Sequence, residues 1–127
     1  MNKKYFMPFL ALSALILIVG CIQNLSRSSS QIITQNIKVT NLKPNQEVVF
    51  PFMISGEVKV FENQFNYRIK DSKGILLKEG TILAKNNKFE VKITTLKTKD
   101  TKIVVEVFDE SAKDGSEIDK VIIPLQI

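Results

Sequence analysis

Apolar and polar residues alternate strictly in several short stretches, and this period of two constrains the fold more than any other feature. In Phe89–Thr94 the side chains of Phe89, Val91 and Ile93 fall on one face, and Phe65–Lys70 alternates in the same way. Such alternation is typical of antiparallel strands with one packed face and one wet face. Since no segment keeps a helical period, the pattern predicts an all-β domain.

Further strands are predicted in apolar stretches between clusters of turn-forming residues. These strands are Ile37–Thr40, Val48–Val60 (broken at Pro51 or at Ser55-Gly56), Leu76–Ala84, Ile103–Phe108 as a central strand, and Val121–Ile127. The turn clusters are Lys43–Asn45, Asp71–Gly74, Lys85–Asn87 and Lys113–Ser116. Pro124 cannot donate to a strand ladder, so the last strand is predicted to be an edge or to carry a bulge there. About seven short strands separated by turns favour an antiparallel β-sandwich.

Residues 1–21 have the features of a secretory signal peptide. Lys3 and Lys4 give a positive start, and the segment from Tyr5 to Gly20 is apolar apart from Ser13. A tract of this length is marginal for a bilayer-spanning helix, which needs about 20 apolar residues. A short apolar tract after a positive start is the pattern of a cleaved leader.

The end of this leader, Ile18-Val19-Gly20-Cys21, resembles the lipobox of bacterial lipoproteins, with Ile18 where Leu is usual. The resemblance implies cleavage before Cys21 and attachment of acyl chains, such as palmitate, to the new N-terminus. Several acyl chains together anchor a protein stably. We therefore predict a lipoprotein held at the membrane outside the cytoplasm. The alternative is an uncleaved N-terminal anchor with an incidental cysteine.

Residues 22–35 are predicted to form a flexible tether, because they are mostly polar and include Ser28, Ser29 and Ser30 in succession. Such a segment buries too little apolar surface to fold. As a coil it spans roughly 20 Å. The predicted domain, residues 36–127, would then lie near the membrane surface.

The composition argues against common enzymes and against nucleic-acid binding. The chain has no histidine, so the usual general base and the commonest zinc ligand are missing. The net charge is +5, but lysines alternate with acidic residues instead of forming a basic face. We predict no enzyme activity, no cofactor and no nucleic-acid partner.

An acidic turn near the C-terminus is the first candidate site. Asp109, Glu110, Asp114 and Glu117 place four carboxylates within nine residues, and carboxylate oxygens are ligands for calcium. Their spacing is not that of an EF-hand loop. We favour the simpler interpretation of a solvated turn around Asp114-Gly115, and these four remain weak metal candidates.

An aromatic group is the second candidate site. Phe61, Phe65 and Tyr67 could stack on a carbohydrate, although Phe65 and Tyr67 share one strand face and are more simply core residues. The opposite face of that strand would then carry Asn66, Arg68 and Lys70.

Three blocks of the sequence resemble the immunoglobulin-like domain of bacterial spore germination, a module that often lies beside a GerMN domain. They are Val48–Glu62, then Phe65–Asp71 with Gly74 and Leu77–Gly80, and finally Phe108–Glu117 with Val121–Pro124. The resemblance implies an immunoglobulin-like sandwich of bacterial surface proteins and lipoproteins, with no catalytic residues. The loop at Ala84–Lys88 is shorter than in many relatives, so a binding property of that loop is not carried over.

Together these features predict a non-catalytic lipoprotein of the bacterial cell envelope. Its immunoglobulin-like domain would present a loop end or an edge strand to another envelope protein or to cell-wall polymer. A carbohydrate-binding module and a protease-inhibitor-like module are alternatives. A degenerate enzyme fragment is disfavoured by the lack of histidine.

Overall fold

The computed structural model describes residues 32–34 and 36–127. The predicted signal peptide, the lipobox residues Ile18, Val19, Gly20 and Cys21, and most of the predicted tether lie outside the described residues. Within the described ranges, no helix is long and apolar enough to cross a membrane.

In the described residues, eight strands form two sheets that pack face to face around one core. The strands are β1 (Ile37–Val39), β2 (Gln46–Glu47), β3 (Phe52–Val58), β4 (Gln64–Asp71), β5 (Leu76–Leu83), β6 (Lys88–Ile93), β7 (Lys102–Glu110) and β8 (Glu117–Gln126). One sheet has the order β1-β3-β6 and the other the order β2-β8-β7-β4-β5. The predicted all-β sandwich is confirmed. The strand not foreseen is the two-residue β2, which pairs in parallel with β8.

The core lies between the sheets and is built from every second residue of the strands. Ile54 of β3 and Ile93 of β6 face Ile69 of β4, and all three are fully buried. Phe65 of one sheet meets Phe89 of the other edge to face, with ring centroids 5.0 Å apart. This aromatic pair joins the two sheets and adds to the free energy gained by burial alone.

The predicted central strand is confirmed, because β7 lies between β8 and β4 in the five-stranded sheet. Its burial departs from simple alternation. Val105 and Val107 face the core, but Glu106 and Phe108 on the outer face are also buried. The outer face of β7 therefore has its own covering layer of side chains.

Pro124 lies within β8, where its carbonyl oxygen accepts a 2.7 Å hydrogen bond from the Asn45 backbone N. In an antiparallel strand the N and C=O of one residue point to the same side, so the ring nitrogen faces away from β7. No ladder bond with β7 is lost. The bulge of β8 lies instead at Asp119, where the partners shift from Val107–Val121 to Asp109–Ile118.

The predicted break in Val48–Val60 lies at Pro51, because β3 begins at Phe52 and continues through Ser55-Gly56. Gly56 has a packing role in this strand. A Cβ atom there would lie 1.9 Å from the carbonyl oxygen of Lys38 and 3.0 Å from the Cα of Val39. The backbone of β1 thus lies against β3 at a distance that only glycine permits.

The two ends of the sandwich differ. One end, called here the tether end, carries the entering residues 32–34 and 36, the short 3₁₀ helix Phe61–Asn63, the Asn86-Asn87 turn and the β7–β8 hairpin. The other, the far end, carries the β4–β5 turn and the segment before β3.

Residues of the predicted tether already bond to β1: Val39 N donates to Ile32 O at 3.1 Å, and Thr34 N donates to Ile37 O at 2.8 Å. The structure therefore differs from the predicted tether at residues 32–34.

The contact at Gly56 predicts a destabilising substitution. We expect Gly56→Ala to lower the free energy of unfolding by about 2–3 kcal/mol, because backbone must move to admit the methyl group. Urea unfolding followed by circular dichroism measures this change. Ser55→Ala, on the outer face of the same strand, is the control and should be close to neutral. Equal stability of the two variants would show that β1 shifts freely.

Candidate functional site

A groove at the tether end lies between the Phe61–Asn63 helix and the β7–β8 hairpin. Its volume is about 370 Å³. It is lined by Phe61, Glu62, Gln64, Phe65, Asn66, Asp109, Glu110, Ser111, Ala112 and Ile118. The ionisable residues in this lining are all carboxylates, so we call it the acidic groove.

Phe61 stands at the mouth of the acidic groove with 78% of its surface exposed. The next two residues, Glu62 and Asn63, have φ angles of 57° and 55°. A left-handed conformation is costly for a residue such as glutamate and persists only where surrounding contacts impose it. Here Ala84 N donates to Asn63 O at 2.7 Å, and Asn63 N donates to Val60 O at 3.2 Å. These two backbone hydrogen bonds therefore fix a turn on which the large apolar ring of Phe61 is exposed to solvent.

The predicted aromatic patch forms only in part. Phe65 and Tyr67 are buried at 1% and 8% exposure, as the core interpretation predicts, and burial raises the pKa of Tyr67. Phe61 is left as the exposed ring, and Phe65 reaches the acidic groove only from the core side.

The structure also separates the four carboxylates of the acidic turn. Asp109 and Glu110 line the acidic groove, whereas Asp114 and Glu117 do not. Asp114 Oδ1 accepts hydrogen bonds from the Ser116 hydroxyl at 2.7 Å and from Ser116 N at 3.0 Å. The hydroxyl bond is the main reason that the pKa of Asp114 is lowered. Asp114 thus shapes the hairpin turn.

Metal binding by these carboxylates finds no support in their arrangement. Asp109 Oδ1 accepts a 2.8 Å hydrogen bond from Glu110 N, and Glu117 is held by basic side chains of the sheet. Across residues 32–34 and 36–127, no three His, Cys, Asp or Glu side chains gather into a group that could hold a metal ion.

Glu117 belongs to a cluster on the outer face of the five-stranded sheet, which we call the Arg68 cluster. The guanidinium of Arg68 donates to Glu117 through Nη1 at 2.7 Å and Nη2 at 2.9 Å, and its Nε binds Glu106. Its central carbon lies 4.5 Å from the ring centre of Phe108. Lys70 Nζ lies 3.4 Å from Glu106, and Lys120 binds Glu117.

The Arg68 cluster explains why Glu106 and Phe108 are buried on the outer face of β7. A carboxylate with 7% exposure is costly unless it is paired, and Arg68 and Lys70 supply the pairing. The bidentate bond to Glu117 holds the guanidinium over the ring of Phe108. In the described part of the chain every buried side-chain nitrogen or oxygen has a hydrogen-bond partner. The cluster is therefore a structural layer of mutually paired side chains that covers the outer face of β7.

Two signals in the sequence pointed toward these sites without defining them. Arg68 was placed on the outer face of its strand, and this placement is confirmed. Its partner Glu117 is 49 residues away, and their meeting depends on the register of β4, β7 and β8. The acidic groove was foreseen only as two separate groups, one aromatic and one acidic.

Residues 36–116 match the family model of the immunoglobulin-like domain of bacterial spore germination. The chain belongs to this family. Membership indicates a non-catalytic module and agrees with the two-sheet architecture. The match ends before β8, so the resemblance of Val121–Pro124 stays a prediction, although β8 completes the sheet beside β7. No curated protein and no solved structure matches the chain.

The Arg68 cluster predicts how stability changes in acid. The bond from Arg68, followed by that from Lys120, lowers the pKa of Glu117 from 4.5 to about 2. A carboxyl group with a lowered folded pKa stabilises the fold above its unfolded pKa, and this contribution is lost as pH falls from about 4.5 toward 2. We expect the urea midpoint of the wild type to fall across this window and that of Glu117→Gln to fall less.

Asp100 provides the control for this titration. Its pKa is also lowered to about 2, mainly by the hydroxyl of Ser72 at the far end. Asp100→Asn should therefore keep the acid-dependent loss that belongs to Glu117. If Glu117→Gln and the wild type lost stability in parallel, the Arg68–Glu117 bond would contribute nothing to the fold.

Proposed function

We propose that this protein is a membrane-anchored module of the bacterial cell envelope that binds another envelope protein through the acidic groove. The observation that carries the proposal is Phe61, whose ring is 78% exposed on a turn held by two residues with positive φ. An apolar ring of this size costs free energy in water. Its retention at a rigid position is typical of a binding anchor, since aromatic residues dominate binding hot spots.

The lining of the acidic groove supports a partner with basic side chains. Glu62, Asp109 and Glu110 surround an apolar area formed by Phe61 and Ile118. A lysine or arginine side chain fits this arrangement, because its aliphatic stem packs on the ring and its charged head reaches the carboxylates. A basic segment of a partner protein is therefore the ligand that the groove favours.

Carbohydrate is a second candidate ligand, favoured by the amides of Gln64 and Asn66 beside the exposed ring of Phe61. An aromatic face with nearby amide and carboxylate groups can stack on a sugar and hydrogen-bond its hydroxyls. Titration with soluble peptidoglycan fragments, observed by NMR, separates the two ligands. Shifts confined to the groove residues would favour the carbohydrate.

A photo-crosslinking experiment tests the groove as a protein-binding site. We expect a photoreactive amino acid at position 61 to give a discrete crosslinked product in intact cells, and the same amino acid at position 49 to give none. Val49 is the matched control, because it is 77% exposed but lies at the far end. Phe61→Ala should leave stability within about 0.5 kcal/mol of the wild type, since the ring is exposed.

One double variant connects the crosslink to the carboxylates of the groove. Asp109→Asn with Glu110→Gln should weaken the crosslink formed from position 61, because it removes two carboxylates of the lining. Equal products from positions 61 and 49, or a product indifferent to these carboxylates, would contradict the proposal.

The anchor is tested by intact mass. We expect the membrane-fraction protein to have the mass of a chain cleaved before Cys21 and carrying acyl chains, and Cys21→Ala to lose both changes. The physical reason is that only the thiol of Cys21 offers a nucleophile for lipid transfer. An unprocessed and unmodified mass would make the apolar leader a plain membrane anchor.

A further inference from the structure

A second groove at the tether end has the opposite charge. It has a volume of about 450 Å³ and lies where residues 33–34 and 36–38 enter the three-stranded sheet. Lys38, Lys59 and Lys88 line it together with Glu57, and polar lining comes from Asn36 and the Asn86-Asn87 turn. Lys85 adjoins it, because Lys85 and Lys88 bond to each other across that turn. We call Lys38, Lys59, Lys85 and Lys88 the basic corner.

Strand register holds these lysines on one exposed surface. Lys38 of β1 pairs with Glu57 of β3, and Glu57 pairs with Lys88 of β6. Lys59 N donates to Asn36 O at 2.8 Å, which fixes Lys59 beside the point where the chain enters. All four lysines are exposed, and Glu57 is the carboxylate that lines the same groove.

The entering chain is fixed at this corner. Asn36 Nδ2 donates to Asp119 Oδ2 at 2.8 Å, and Thr34 Oγ1 donates to Asp119 O at 3.3 Å. Residues 22–31 separate Cys21 from the described residues, and a coil of that length spans roughly 17 Å. An anchor at or before Cys21 therefore holds the basic corner close to the bilayer surface, where the effective concentration of lipid headgroups is high.

We infer that the basic corner docks the anchored domain onto anionic phosphate headgroups of the membrane that holds it. The inference rests on the proposed membrane anchor. Lysines at an anionic surface add to binding, and an anchor combined with a basic patch holds better than either alone. The acidic groove lies at the same end on the other side, and its carboxylates are repelled by the same headgroups. Docking thus turns the acidic groove away from the lipid and leaves it open to a partner.

The test uses the full anchored chain in vesicles and measures energy transfer from a labelled cysteine to an acceptor on the lipid headgroups. Glu90→Cys marks the outer face of β6, and Thr81→Cys marks the outer face of β5. Each position is two residues from the tether-end limit of its strand. In phosphatidylglycerol vesicles we expect stronger transfer from position 90 than from position 81. The difference should disappear in phosphatidylcholine vesicles and at 1 M salt.

Two variants that remove the same number of positive charges test whether the basic corner is responsible for the docking. Replacing Lys38, Lys59, Lys85 and Lys88 by Gln should abolish the difference, because each lysine contributes about a fivefold factor to binding at an anionic surface. Replacing Lys43, Lys73, Lys97 and Lys99 by Gln removes the same charge at the far end and should preserve it. Equal transfer from both positions, or equal effects of both variants, would overturn the inference.

The remaining outcomes are also decisive. If the basic corner binds headgroups, we expect soluble polyphosphate to compete with them. It should displace the domain from the surface of phosphatidylglycerol vesicles and have no effect in phosphatidylcholine vesicles. Binding of polyphosphate without any response to phosphatidylglycerol would overturn the membrane as the partner. If the protein is anchored but energy transfer from positions 90 and 81 is equal, the proposed anchor is retained and the docking is overturned. Recovery of the chain from the soluble fraction would overturn both. Label uptake by the wild-type chain would report an unmodified Cys21.

Discussion

The fold depends on covering both faces of β7. This strand lies in the middle of the five-stranded sheet, so its inner face packs in the core and its outer face needs cover of a different kind. Val105 and Val107 meet the first need by apolar packing. Arg68 meets the second, because one planar guanidinium pairs with two carboxylates and lies over the ring of Phe108. A lysine in its place has neither the plane nor the paired donors. The outer face is therefore closed by side chains from β4, β7 and β8 acting together.

The bulge at Asp119 links this sheet to the tether end. Its φ of 51° places one extra residue in β8 opposite β7, which lets the strand bend where the hairpin begins. The carboxylate of the bulged residue then binds Asn36, which is 83 residues earlier in the sequence. Chain entry, hairpin and acidic groove are thus joined through one irregular position. A regular ladder through Asp119 would leave the entering chain without this partner.

Much of the architecture follows from local sequence. The alternation in Phe65–Lys70 and Phe89–Thr94 predicted two strands correctly, and Asn86 and Asn87 adopt the positive φ angles that a tight type I′ hairpin turn requires. Prediction failed where distant segments decide the outcome. The parallel pairing of β2 and the bond from Arg68 to Glu117 depend on register between strands far apart in sequence. The bulge at Asp119 lies in the β7–β8 hairpin, and its carboxylate bonds to Asn36, which is 83 residues earlier. Phe61 was grouped with Phe65 and Tyr67 because residue type alone does not show that a turn separates it from the core.

The positions of the two grooves limit which partners the domain can reach. Both lie at the tether end, and under the proposed anchor this end lies nearer to the lipid surface than the far end does. The far end, with exposed Val49 and Ile75, lies on the other side of the sandwich. Under the proposed anchor, a partner of the acidic groove would itself be close to the membrane, as the flanking segment of an integral membrane protein is. For such a partner the proposed tether would replace part of the affinity, because both molecules would share a thin layer at the surface and their effective concentration would be high. A shallow groove with one exposed ring is sufficient under that condition.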